Sequence, residues 1–207
     1  MISRPVVIAP LIGLFFNNIY AGLIIGAIIE LIWIDRLPIG TYIPPNDSIT
    51  AVLATSMAVI AGSKLGSTPP ELIAFCVLIA IPFGMLAKQM DVLIIKSNDA
   101  LSDRALEDAK ENNIKAIERK NYFGLLKVFL FYALFLLSVQ AVLVPSVLWG
   151  YPRLDGIFIK ALSLMYYFLP LLGIAIAVNM LKLRGAIPVF CAIFLAVAVL
   201  LELFHVL

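Results

Sequence analysis

The stretch Gly22–Asp47, GLIIGAIIELIWIDRLPIGTYIPPND, sets an acid inside an apolar run and then breaks into prolines and polar groups. If Gly22 to Ile34 is helical, Gly22, Gly26 and Glu30 stack at i, i+4 and i+8, with Trp33 close to the same stripe. Glycines at that spacing let a second helix approach closely in lipid, so Glu30 is expected to face a packed interface or a wet cavity. From Leu37 onward the prolines Pro38, Pro44 and Pro45, with Gly40, exclude a continuous helix. Asn46, Asp47 or Ser48 can then cap a new helix over the run Ile49 to Gly62. A helix N-terminus at that depth could equally hold a polar ligand on its free amides, and both roles can coexist.

Working outward, the run before this stretch is also short. Val6 to Phe16 is interrupted by Asn17-Asn18, and neither it nor Ile19 to Ile34 reaches the roughly 20 residues that span a bilayer alone. The pair is either one long tilted helix with a polar break or two half-length helices meeting inside the membrane. Interrupted apolar segments of this kind mark binding sites in transporters, because unwound backbone is tolerated in lipid only beside protein or a cavity.

The whole chain supports a membrane setting. Of its 207 residues 63% are hydrophobic, against roughly 45–50% in soluble domains, and mean hydropathy is +1.07. The expected fold is all-α: a polytopic membrane protein with about six helical membrane segments, including broken or re-entrant helices. A net charge of +2 is too small to point to nucleic acid. Cys76 and Cys191 each sit in an apolar run and read as small buried hydrophobes. His205 has no second His or nearby Cys with which to share a metal, so neither a metal nor a cofactor is expected. Met1 to Leu14 lacks the small-residue cleavage pattern of a signal peptide.

Residues 1–207 read as a single transmembrane permease domain, with 6–62 as its broken-helix substrate region. Leu72 to Ile95 is long enough to span, with a kink at Pro82 and Gly84 and with Lys88 and Asp91 placed to pair at i, i+3. Residues 96–121 carry six Lys/Arg and six Asp/Glu and read as an amphipathic loop interrupted at Asn112-Asn113, with i, i+4 pairs such as Arg104 with Asp108. Lys/Arg bias places this loop and the turn Lys182-Leu183-Arg184-Gly185 in the cytoplasm. Residues 122–207 then supply three spans, Tyr122 to Trp149, Gly156 to Leu181 and Ala186 to Leu207. Asn179 and Gln140 fall inside them, where an amide seeks an interhelical hydrogen bond.

The segment Arg4 to Gly62 resembles the IIC membrane component of the mannose-fructose-sorbose class of the bacterial phosphoenolpyruvate-dependent sugar phosphotransferase system. Arg4-Pro5, GLIIGAIIELIW, Ile39-Gly40, Pro45 and Ala61-Gly62 carry the likeness, which continues more loosely through Ile117-Glu118-Arg119 and Val178-Asn179-Met180. Members usually carry about one more helix before the Arg-Pro pair, and typically Pro-Asp where this chain has Pro45-Asn46. The resemblance implies group translocation: a hexose-type sugar is carried inward and phosphorylated by a separate IIB component. It implies a bacterial inner-membrane location, soluble IIA/IIB phosphocarriers, a IID membrane subunit and an oligomeric assembly, and it raises Asn179 as a residue near the substrate path.

A sugar needs both donors and acceptors for its hydroxyls, which Glu30, Thr41, Asn46 and Asp47 could supply, with Trp33 or Tyr42 as a stacking face. No well-placed His or Cys could carry a phosphoryl group, so phosphorylation is expected on a partner. The alternative is an ion-coupled secondary transporter or channel for a small polar solute, using Glu30, Asp47 and Asp91 as proton or cation ligands. A non-transporting scaffold would leave Glu30 without a reason to lie in a span.

Overall fold

The computed structural model describes residues 2–36, 40, 42–180 and 186–203, with side chains from 188 onward in the last stretch. Every regular element among them is helical: α1 Pro5–Phe15, α2 Ile19–Ile32, α3 Asp47–Leu65, α4 Pro70–Lys110, α5 Ile114–Gly150, α6 Gly156–Met180 and α7 Ala186–Leu203. The turn Lys182–Gly185 and His205 lie outside the described residues.

Asn17-Asn18 is a reversal. Asn17 adopts φ +59°, and the Asn18 side chain caps α2 by accepting from Ala21 N–H at 3.1 Å. α1 and α2 therefore fold back on each other as a helical hairpin, about 16 and 21 Å long at 1.5 Å per residue, so neither crosses a roughly 30 Å hydrocarbon core. The glycine stripe makes this contact possible. A Cβ added at Gly22 would lie 2.4 Å from the Ala9 carbonyl oxygen, and one at Gly26 would lie 2.5 Å from that of Pro5. The second helix that the stripe admits is thus α1 itself. Asn18 also donates from Nδ2 to Thr68 Oγ1 at 2.8 Å, tying the hairpin's closed end to the turn between α3 and α4.

α3 forms the centre and is buried on every side by small and medium residues, among them Ala51, Leu53, Ala54, Met57, Ala58 and Ala61. Such residues let α1, α2, α4 and α5 all reach it. Gln140 on α5 donates to Ser56 Oγ and reaches the Leu53 carbonyl oxygen at 3.4 Å, the interhelical bond expected of a buried amide. On the far side α6 closes on α2 where Gly173 meets Leu31, and α7 packs on α6 through Phe168 and Phe194, stacked at 5.5 Å.

The hydrophilic loop at 96–121 is two helix ends and a tight turn. α4 and α5 are 41 and 37 residues long, about 62 and 56 Å, so both overshoot the bilayer and form a hairpin capped by Asn113, which accepts from Ala116 N–H at 3.2 Å. Its ion pair runs across the hairpin, from Lys120 to Asp108, in place of the expected Arg104 with Asp108. Lys127 donates to the Ser97 hydroxyl at 2.8 Å. Outward of this bond both helices are densely charged, whereas inward of it α5 carries no charge and α4 only Lys88, Asp91 and Lys96 before its far end, which puts the membrane boundary near this level.

Candidate functional site

The open end of the α1–α2 hairpin carries Arg4 before α1 and Glu30 in the last turn of α2. With the glycines holding the two backbones together, Arg4 Nη1 lies 3.2 Å from Glu30 Oε1, and Val6 N–H donates to Glu30 Oε2 at 3.4 Å. The Glu30 side chain is only 20% exposed, so its charge is matched at short range by a residue 26 positions earlier.

The N-terminus of α3 meets this open end. Asn46 caps α3 by accepting from Ile49 N–H at 2.9 Å, and its own N–H donates to the Gly84 carbonyl oxygen on α4 at 3.0 Å. Gly84 leaves the space in which this happens, because a Cβ there would lie 2.2 Å from Thr50 Oγ1 and 3.1 Å from the Trp33 ring. Along α4, Gly84 is about 20 Å from Pro70 and about 20 Å from Ser97. The chain break and the free end of α3 thus sit near mid-membrane, where transporters built on interrupted helices bind their substrates.

Two cavities flank the segment Tyr42–Asn46, and Pro44 lines both. The first, about 240 Å³, is lined by Arg4, Glu30, Trp33, Arg36, Pro45 and Asp47 among others. Two cations and two anions line it: Arg4 pairs with Glu30, Arg36 pairs with Asp35 outside the lining, and Asp47 takes part in no ion pair among the described residues. Arg36 Nε lies 3.2 Å from Asp35 Oδ1. Asp47 Oδ1 accepts from Ser48 N–H at 2.6 Å, which orients its carboxylate at the pocket wall. The volume falls below the roughly 300–1,000 Å³ of sites for drug-sized ligands, as suits a smaller solute.

The second cavity, about 340 Å³, lies between Pro44 and the charged hairpin and is lined by Tyr42, Asp91, Ile94 and Tyr132 among others. Asn46 turns its side chain this way. Its Nδ2 donates to Asp91 Oδ2 at 3.1 Å, and Tyr132 donates its hydroxyl to Asp91 Oδ1. Lys88 lies over the Tyr42 ring, 5.0 Å from its centroid, and so takes a π face where the spacing predicted Asp91.

Of the residues singled out in the sequence, Glu30, Trp33 and Asp47 share the first pocket. Asn46 stands at the wall between the cavities and faces Asp91. Asn179 is exposed near the C-terminal end of α6 and lines neither cavity. Thr41 lies outside the described residues. Arg4, Arg36 and Tyr132 were not singled out. Arg4 had a signal, as the only basic residue ahead of the first apolar run, but Tyr132 lies within an aromatic-rich span that gave none.

A charged pocket between interrupted helices, enclosed by longer apolar ones, defines a multi-pass membrane protein of the transporter kind. The sequence agrees with one family from end to end: residues 1–206 match the PTS system sorbose-specific IIC component, and the chain belongs to that family. It is 33% identical over 94 residues to a putative N-acetylgalactosamine permease IIC component 2 of Escherichia coli (strain K12), a match covering 45% of this chain and 64% of that relative. It is 23% identical to a fructose permease IIC component of Bacillus subtilis (strain 168), over 94% of this chain and 70% of the relative. To the PTS system mannose-specific EIIC component of Escherichia coli (strain K12) it is 21% identical, over 90% of this chain and 68% of the relative. A solved structure described as "Structure of membrane protein" shares the fold, with a TM-score of 0.67 and 19% identity over 95% of this chain and 76% of that one.

Proposed function

We propose that this chain is the sugar-translocating IIC subunit of a phosphoenolpyruvate-dependent phosphotransferase system, and that the pocket at Arg4, Glu30, Trp33, Arg36 and Asp47 holds a hexose-type sugar during passage. The observation that carries this reading is the mixed lining of the pocket. Arg4 and Arg36 offer donors and Glu30 and Asp47 offer acceptors, which suits a polyol with hydroxyls of both kinds. Trp33 supplies the flat apolar face on which a sugar ring stacks.

The cavity beyond Pro44 gives a sugar leaving the first pocket a place nearer the charged hairpin. Tyr42, Tyr132 and the Asn46–Asp91 pair would meet it there. IIC components of the phosphotransferase system work with IIA and IIB components, so the phosphoryl group reaches the sugar from IIB at the hairpin side. A IID membrane subunit beside this chain, an oligomeric assembly and the bacterial inner membrane complete the reading.

The test is sugar uptake into vesicles containing this chain with and without its IID and IIB partners, scoring whether the internal sugar is phosphorylated. Phosphorylated sugar, appearing only with the partners present, is expected. Free sugar accumulating with this chain alone would overturn the reading in favour of secondary transport.

A further inference from the structure

The α4–α5 hairpin carries a further pair of adjoining cavities, separate from the pocket at Glu30. One, about 400 Å³, lies beyond the membrane boundary and is lined by four cations, Arg104, Arg119, Lys120 and Lys127, with no acid in its wall. The other, about 530 Å³, continues from it and is apolar, lined by Met90, Leu126, Leu130, Phe131, Leu134 and Phe135 among others. Phe123 and Lys127 belong to both, so the two form one cleft with a cationic mouth and a hydrocarbon-lined body.

The balanced charge of the hairpin sequence hides this segregation. Ser97, Ala100, Leu101 and Arg104 follow one stripe of α4, while Asp99 and Asp103 project from its opposite side. On α5 the stripe Arg119, Phe123, Leu126, Lys127 and Leu130 leaves out Glu118. Lys120 is taken up by Asp108 and by the Arg104 carbonyl oxygen at 2.7 Å. Arg104, Arg119 and Lys127 take part in no ion pair among the described residues. Asp108, one turn beyond Arg104 on the same stripe, is taken by Lys120, and Lys127 is anchored on Ser97, so Arg104, Arg119 and Lys127 keep their charge at the mouth of the cleft without an ion-pair partner among the described residues.

The depth of the cleft matches a lipid. From Lys127, at the membrane boundary, to Ser138 at the inner end of the groove is about 16 Å along α5. One leaflet of a roughly 30 Å hydrocarbon core is about 15 Å deep. We propose that the cleft between α4 and α5 is a binding site for an anionic glycerophospholipid, its phosphate held by Arg104, Arg119 and Lys127 and an acyl chain lying in the groove. A water-soluble phosphoprotein could meet the cations but could not fill an apolar groove one leaflet deep. Cationic pockets between helices at the cytoplasmic side recognise anionic headgroups by the same chemistry, and Lys/Arg bias puts this hairpin on that side.

The test is native mass spectrometry of the purified full chain in detergent. It is titrated with phosphatidylglycerol, with phosphatidylcholine of identical acyl chains, and with glycerol phosphate as a free anion. Phosphatidylglycerol is expected to bind in preference to phosphatidylcholine, and glycerol phosphate is not expected to displace it. At roughly fivefold per cation, the double variant Arg104→Gln/Arg119→Gln should bind it about 25-fold more weakly. Both residues are exposed, so the variant should fold, which size-exclusion chromatography checks. Lys110→Gln/Lys115→Gln removes the same charge from the hairpin tip and should change nothing. Equal binding of the two lipids, equal loss in the two double variants, or displacement by glycerol phosphate would overturn the proposal.

Discussion

Replacing Glu30 by Gln is expected to cut sugar uptake about 10- to 100-fold while the protein still inserts and assembles. The substitution keeps the size of the side chain and removes its charge. A hydrogen bond from a sugar hydroxyl to a carboxylate is worth about 1.5–3 kcal/mol, and a neutral amide accepts more weakly. The change also removes the charge that faces Arg4, 3.2 Å away, but the Gln carbonyl oxygen still accepts from the guanidinium, so folding should survive. Uptake is measured in vesicles and normalised to inserted protein. Unchanged uptake would remove Glu30 from the site.

The second large effect is expected at Asn46. Asn46→Asp would set a carboxylate opposite Asp91 in place of an amide that donates to it at 3.1 Å. The lost charge-assisted bond and the new repulsion should together destabilise the chain by about 2–4 kcal/mol. Thermal unfolding in detergent reads this as a lowered Tm, and uptake should fall with it. The double variant Asn46→Asp/Asp91→Asn restores one donor and one acceptor at the same contact, so most of the stability should return. If the double variant were as unstable as the single one, the Asn46–Asp91 bond would not be what holds the segment before α3.

This pair also gives a physical reason for a departure visible in the sequence. The family typically has an acid where this chain has Asn46. In this chain a carboxylate stands one side chain away, on α4, where Asp91 accepts from the Asn46 amide. No spacing rule could have joined positions 46 and 91, because their contact depends on how α3 docks at Gly84.

Other features were legible in advance, and for local reasons. The i, i+4 glycines with Glu30 correctly announced a close helix contact, since Cβ direction on a helix follows from spacing alone. The direction of the chain at Asn17-Asn18 was not legible. Both flanking runs are apolar all round, so no amphipathic face told a reversal from a bend, and the hairpin shows only in the docking of Gly22 on Ala9 and Gly26 on Pro5. With that reversal missing, Arg4 could not be placed beside Glu30. Within 96–121 the break at Asn112-Asn113 is legible in the sequence, and α4 ends and α5 begins around it. The pairing of Lys120 with Asp108 is not legible, because it depends on how the turn sets α5 against α4.

The central claim, that a sugar sits against Trp33 and Glu30, has a direct optical test. Trp33 and Trp149 are the two tryptophans of the chain, and Trp149 lies at the far end of α5 under Arg153. In a Trp149→Phe background, Trp33 alone reports. Mannose, fructose, sorbose and N-acetylgalactosamine are titrated in turn against the purified protein. A saturable change in Trp33 emission with at least one of them, lost on adding Glu30→Gln, is the expected result. No change with any sugar, or a change that Glu30→Gln leaves intact, would contradict the placement of the site.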